Sequence, residues 1–253
     1  MFRLEVADRI ATLVLDRPPV NALNAEWTLL FHRQLDALEA RDDWAVLHLR
    51  SALRLFSAGA DLKDMREAFA GADPVPALVE AIRGYQRLFA RLEALPRVTL
   101  AEIGGAAMGG GLELALACDL RIVAREARVG LPELALGLLP AAGGTQRLTR
   151  LCGRAAAARL VLGAATVDGV EAERLGLAQW TTPLAELPAA AADIARRYAA
   201  IPSHAIARAK PCLAAAGDRG LDGFALELEG SAALLASSET RALVRQFLER
   251  KAK

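Results

Sequence analysis

Cysteine and histidine are scarce in this chain of 253 residues. Cys118, Cys152 and Cys212 are scattered, with no CxxC pair, which excludes a disulfide framework and points to a reducing compartment. His32, His48 and His204 show no HExxH or paired spacing, so no metal site is expected. Net charge is nearly absent. Thirty-one basic against thirty acidic residues leave +1, which gives nucleic acid no electrostatic hold as a main partner. Apolar runs stay short of the ~20 residues that span a bilayer, and the opening "MFRLEVADRI" lacks the apolar centre of a signal peptide. A soluble, cytoplasmic protein with no membrane partner is expected.

What is present is an apolar share of 54%, ample for a sizeable core. "IATLVLD" (10–16), "AVLHLRS" (45–51), "VTLAEIGG" (98–105) and "LRIVA" (120–124) read as strands, and Phe56 as the end of a strand-like run. Between the first two, Asn24 is placed to cap a helix whose Trp27, Leu30, Phe31, Leu35 and Leu38 recur at helical spacing. A further helix is expected from about Pro76 to Leu95, with the path of 66–84 left open. Alternating strands and helices up to about residue 150 imply an α/β core. The last third shows no clear strand except in "LAQWTT", and from Ile201 the chain reads as alanine-rich helix.

Three stretches carry chemistry. In "AMGGGLELALACD", Gly109 to Gly111 follow a strand and open a helix, where free backbone N–H groups at the positive end of the dipole favour an anion or a growing oxyanion. Glu113, three residues after Gly110, shares its face. A purely structural role, glycines for packing and Glu113 for the dipole, explains this stretch equally well. In "GLPELALGLLPAAGGTQRL", Pro132 breaks the chain before Glu133, which sits among leucines. Such a carboxyl has a solvent window or a raised pKa, or is an ordinary first-turn acid. Gln146 and Arg147 read as structural polar contacts. In "FSAGADLKDM", Gly59 allows a tight turn, and Ala58 and Ala60 leave the backbone open to a ligand. Arg54 and Lys63 are solvated charges by default and ion-pair partners if that ligand bears phosphate.

Together with "LDRPPVNALN" and "RQFLERK", these stretches resemble the enoyl-CoA hydratase/isomerase (crotonase) superfamily over nearly the whole chain. The resemblance implies an α/β fold: a spiral of ββα turns over 1–195, carrying the coenzyme A site and the active site. A helical C-terminal region over 196–253 would drive assembly into a homotrimer or a dimer of trimers. It implies an oxyanion hole from the backbone N–H groups of Ala60 and Gly110. Glu113 and Glu133 would be the paired acids of the hydratases, which add water syn to a trans-2-enoyl-CoA. Arg54, Ala58, Leu62 and Lys63 would meet coenzyme A, and Met65, Phe69, Met108 and Leu112 would border the acyl pocket. No cofactor is implied, since coenzyme A arrives with the substrate. An isomerase, a hydratase of branched or aromatic acyl-CoA, and an RNA-binding relative stay as alternatives.

Overall fold

The computed structural model describes residues 1–218 and 220–251. Two strands, β1 (Phe2–Ala7) and β2 (Ile10–Leu15), pair antiparallel and lead to α1 (Ala25–Glu39). The Asn24 side chain accepts the Trp27 N–H at the start of α1, the expected cap. Helix α1 buries Trp27, Phe31, Leu35 and Leu38, and Phe2 of β1 stacks on Trp27 and Phe31 at 5.4 Å.

Thereafter the chain winds in repeating turns of strand, short strand and helix. The first turn is β3 (Val46–Ser51), a single bridging residue at Ser57, then α2 (Leu62–Phe69) and α3 (Val75–Ala94). The second is β4 (Val98–Ile103), β5 (Ala107–Met108) and α4 (Gly110–Leu116). The third is β6 (Leu120–Ala124), β7 (Arg128–Gly130), a 3-10 turn at Pro132–Leu136 and α5 (Gly144–Leu162). The long strands add in parallel, and β9 (Trp180–Thr182) completes a six-stranded sheet of order β1-β2-β3-β4-β6-β9. Both faces of the central strands are covered, and β4 is buried at all six positions, as parallel sheets require. Between β8 (Thr166–Asp168) and β9 lies α6 (Gly169–Arg174), and α7 (Leu187–Ala199) packs on the large sheet.

The short strands form a second, smaller sheet of order β5-β7-β8. Ser57 bridges Ala107 in parallel, and Ala107 pairs with Val129, which pairs antiparallel with Val167 of β8. Three successive strand-to-helix corners, 58–61, 109–110 and 131–133, therefore stack side by side.

Two readings of the sequence are corrected here. Phe56 does not end a strand: β3 stops at Ser51, and residues 52–56 form bends. The Ser51 side chain causes the change, accepting from Leu53 N–H and donating to the Leu55 carbonyl, so the backbone leaves the ladder. Strand β8 was not expected. Its three residues are too few to show periodicity, and it exists because β7 pairs with it.

The chain divides into two units, Met1–Ala199 and Ala200–Lys253. The second is helical: α8 (Ser203–Ala215) packs on α9 (Gly223–Ala236), which contacts α10 (Ser238–Lys251). Of the region 196–253 read as helical, Arg219, Ala252 and Lys253 lie outside the described residues. Among the described residues no helix is long and apolar enough to cross a membrane.

The first corner is held by Asn21, fully buried with φ +47°. Its side chain accepts the Arg17 N–H and donates to Ser51 Oγ and the Phe56 carbonyl. Replacing it by alanine strands those groups and should cost about 2–4 kcal/mol in denaturant unfolding. Asn21→Gly, which relieves the left-handed backbone, should recover only a minor part. Full recovery by glycine would show that the backbone, not the side chain, is what Asn21 supplies.

Candidate active site

The first corner presents one backbone donor. Ser57 Oγ accepts the Gly59 N–H and donates to the Asn21 carbonyl, closing the turn. Gly59 has φ +91°, and a side-chain carbon there would lie 2.7 Å from the Met108 carbonyl, so only glycine fits. Leu23 pairs alongside, donating to the Gly59 carbonyl and accepting from Asp61 N–H, both at 2.8 Å. In such a parallel bridge the middle residue, Ala60, turns its own N–H to the opposite side. Asp61 then caps α2 through the Lys63 N–H and pairs with Arg17 at 2.8 Å. Burial pushes the Asp61 carboxyl up, but Arg17 and the Lys63 N–H outweigh it and hold the group below its ordinary range. Tyr85 ties α3 to this corner by donating to the Leu23 carbonyl at 2.9 Å.

The second corner presents the other donor and the first acid. Gly109 donates to the Gly130 carbonyl, and Gly110 begins α4, so the Gly110 N–H has no acceptor within the helix. The two donors are neighbours: a carbon added to Gly110 would lie 3.6 Å from the Ala60 nitrogen. Glu113, one turn on, is 3% exposed, and its Oε1 accepts the Gly144 N–H at 2.8 Å. Burial is the largest influence on it and the Glu133 charge adds to it, so its pKa is pushed up to about 7 against the pull of the Gly144 and Ala142 backbone.

The third corner carries Glu133 in the first turn after Pro132. Its carboxylate rests on Gly109, where a side-chain carbon would come within 2.8 Å of Oε1. Among the described residues Glu133 Oε2 has no hydrogen-bond partner, although it is buried. Burial raises the Glu133 pKa as well. Two carboxyl groups whose pKa values burial raises thus lie beside two backbone donors, and the Glu133 charge is felt at Glu113. That arrangement can hold a small polar molecule and pass protons to and from it.

The remaining expected residues spread outward from this centre. Met108 lies half-buried in β5 and Leu112 fully buried in α4, both next to the donors. Met65 is half-buried on α2, whereas Leu62 and Phe69 are 65% and 57% exposed. Ala58 and Arg54 are exposed, and Lys63 is exposed with Glu67 at 3.9 Å. No role is read from the sequence for Arg17, Asn21, Ser57 and Tyr85, which shape the first corner, because each acts through a partner at least 30 residues away. Away from these corners, a buried acid–histidine contact, His48 Nε2 to Glu102 Oε2 at 2.8 Å, lines a cavity of about 610 Å³ between the large sheet and α7. Among the described residues no three His, Cys, Asp or Glu side chains could hold a metal ion.

The Glu113 pKa has a consequence for stability. A carboxyl raised in the folded state contributes most below its unfolded value and loses that contribution as pH climbs through the folded one. A rise from 4.5 to about 7 is worth roughly 3 kcal/mol, the upper bound on what ionising Glu113 costs at pH 8. Glu113→Gln should therefore unfold at a higher temperature than the parent at pH 8, with the gap closing by pH 4.5. Equal melting curves across that range would place Glu113 in a wetter site than its 3% exposure describes.

The comparisons with known proteins agree with one another. The sequence profile described as enoyl-CoA hydratase/isomerase matches residues 5–253. A probable enoyl-CoA hydratase of Bacillus subtilis is 41% identical over 174 residues, which are 69% of this chain and 66% of that protein. A putative enoyl-CoA hydratase/isomerase of the same organism is 34% identical over 251 residues, 96% of this chain and 93% of its own length. The crystal structure of an enoyl-CoA hydratase from Bacillus anthracis superposes with a TM-score of 0.90 at 29% identity, covering 98% of this chain and 96% of that one. The chain belongs to the enoyl-CoA hydratase/isomerase family and has the crotonase fold.

Proposed function

We propose that the protein is an enoyl-CoA hydratase, adding water reversibly and syn to a trans-2-enoyl-CoA to give the 3-hydroxyacyl-CoA. The observation that carries this reading is the facing pair of buried carboxyls, Glu113 and Glu133, beside the Ala60 and Gly110 N–H groups. Hydration needs two proton-handling groups and a place for negative charge, and this corner stack supplies all three.

In this reading the thioester oxygen accepts from Ala60 N–H and Gly110 N–H. Glu113, ionised, takes a proton from a water as the water oxygen bonds to C3. The C2–C3 π electrons move toward the carbonyl, and the enolate oxygen is met by the two donors, fixed before charge develops. Glu133, in its protonated form, delivers a proton to C2. A proton then returns from Glu113 to Glu133 through solvent, restoring both. A Glu113 pKa of about 7 suits this work, since a general base is most effective when poised near the working pH. The scheme needs no resident cofactor or metal.

Coenzyme A would lie along the exposed rim made by Arg54, Ala58, Leu62 and Lys63, with the acyl chain toward Met65, Phe69, Met108 and Leu112. For assembly we infer a trimer or dimer of trimers. Supporting it, α9 and α10 expose Phe224, Leu228 and Phe247 at 81%, 74% and 57%, more apolar surface than these helices need in water.

Glu113→Gln and Glu133→Gln should each lower the hydration rate by roughly 10²–10⁴-fold, followed as loss of conjugated enoyl-thioester absorbance. The double variant should be little worse than the poorer single one, because the two act as a unit. In deuterated buffer Glu113→Gln should keep more proton exchange at C2 of a saturated acyl-CoA than it keeps hydration, whereas Glu133→Gln should lose both. Normal hydration by Glu113→Gln would rule out the two-carboxylate mechanism and favour a one-base isomerase.

A further inference from the structure

Among the described residues the positive charge that acts on Glu113 belongs to Arg147, on the first turn of α5. It is only 8% exposed, an unusual place for a guanidinium. Its Nε and Nη2 both reach Glu93 Oε2 on α3, at 3.1 and 2.8 Å, and its Nη1 donates to the Ala142 carbonyl at 3.1 Å. Gln86 of α3 adds a bond to the Ala141 carbonyl at 2.6 Å. The loop 141–144 is thus tied to α3 from behind. Its free side presents the Gly144 N–H to Glu113 Oε1 at 2.8 Å.

We propose that Arg147 is the positioning residue for Glu113: braced on Glu93, it fixes the loop that holds the Glu113 carboxylate through Gly144. The inference rests on the hydratase reading only for its catalytic consequence. Among the described residues two formal charges act on Glu113 in opposite directions, Glu133 from the 3-10 turn and, more weakly, Arg147 from α5, whose field its ion-pair partner Glu93 partly offsets. Burial and Glu133 favour the proton, while Arg147 and the Gly144 N–H oppose them. Without Arg147 the balance shifts toward a neutral acid, which cannot accept a proton from water.

A role as a plain staple between α3 and α5 would affect folding but not the titration of Glu113. The test is therefore to titrate the Glu113 carboxyl in the ligand-free protein by NMR with ¹³C-labelled glutamate, assigning its signal by its loss in Glu113→Gln. Arg147→Gln should move the midpoint up by about half a pH unit, equivalent to a roughly threefold smaller ionised fraction below it. Arg147→Lys, which keeps a positive charge but cannot grip Glu93 and Ala142 together, should move it less. In hydration assays the acid limb of the kcat profile should follow the midpoint in each variant, with KM unchanged because Arg147 does not touch substrate. Should Arg147→Gln fail to fold, the Arg147→Gln/Glu93→Gln pair, which keeps two hydrogen-bonding amides and no lone charge, takes its place, with an upward shift expected that is smaller because both charges are removed. An unmoved midpoint, or a rate loss uniform in pH, would overturn the proposal. A midpoint that moves in a protein that hydrates no enoyl-CoA would leave the Arg147–Glu113 link standing and sink the hydratase reading instead.

Discussion

Everything at the candidate site depends on a ladder one or two residues wide. The parallel pairing of Ser57 with Ala107 and of Ala107 with Val129 sets three strand-to-helix corners in a row. Each corner then contributes what its local sequence allows: a backbone donor at Ala60, a donor and an acid at Gly110 and Glu113, an acid at Glu133. The corners approach so closely that no side chain fits between them. A carbon at Gly59 would strike the Met108 carbonyl, and one at Gly109 would strike Glu133. The large sheet, with its buried central strands, supplies the rigidity that keeps such a thin ladder in register.

This arrangement sets burial against charge. Two carboxyl groups removed from water cost stability unless protonated or well bonded. The structure handles them differently. Glu113 receives a backbone N–H from Gly144 and lies in the field of Arg147, whereas Glu133 Oε2 has no protein partner among the described residues. In the hydration proposed above, Glu113 works at the water and Glu133 at C2. The surrounding polar pairs, Arg17 with Asp61 and Arg147 with Glu93, sit on loops and helix ends rather than in the sheets, where they hold the corner loops still.

The centre of the site was legible in the sequence because its parts are local. Three glycines at a helix start, a glutamate one turn later and a proline before a second glutamate are short-range signals, and the structure places all of them as read. The strands β3, β4 and β6 and the Asn24 cap were legible for the same reason. What could not be read is long-range. Asn21 looks like part of a proline-broken loop, and nothing nearby shows that its amide reaches Phe56. Strand β8 is three residues whose state is decided by β7, and Ser51 ends β3 by a side-chain bond that apolar patterning does not register. Arg147 read as a structural contact until its bonds to Glu93 and Ala142 connected it to the loop on Glu113.

The central claim is that these stacked corners add water to a conjugated thioester. Its most direct test is to incubate the unmodified protein with a trans-2-enoyl-CoA in deuterium oxide and determine the product by NMR. The account predicts a 3-hydroxyacyl-CoA carrying one deuterium at C2, in a single configuration relative to the C3 hydroxyl that corresponds to syn addition. A product whose double bond has moved to C3–C4, with no hydroxyl at C3, would contradict it.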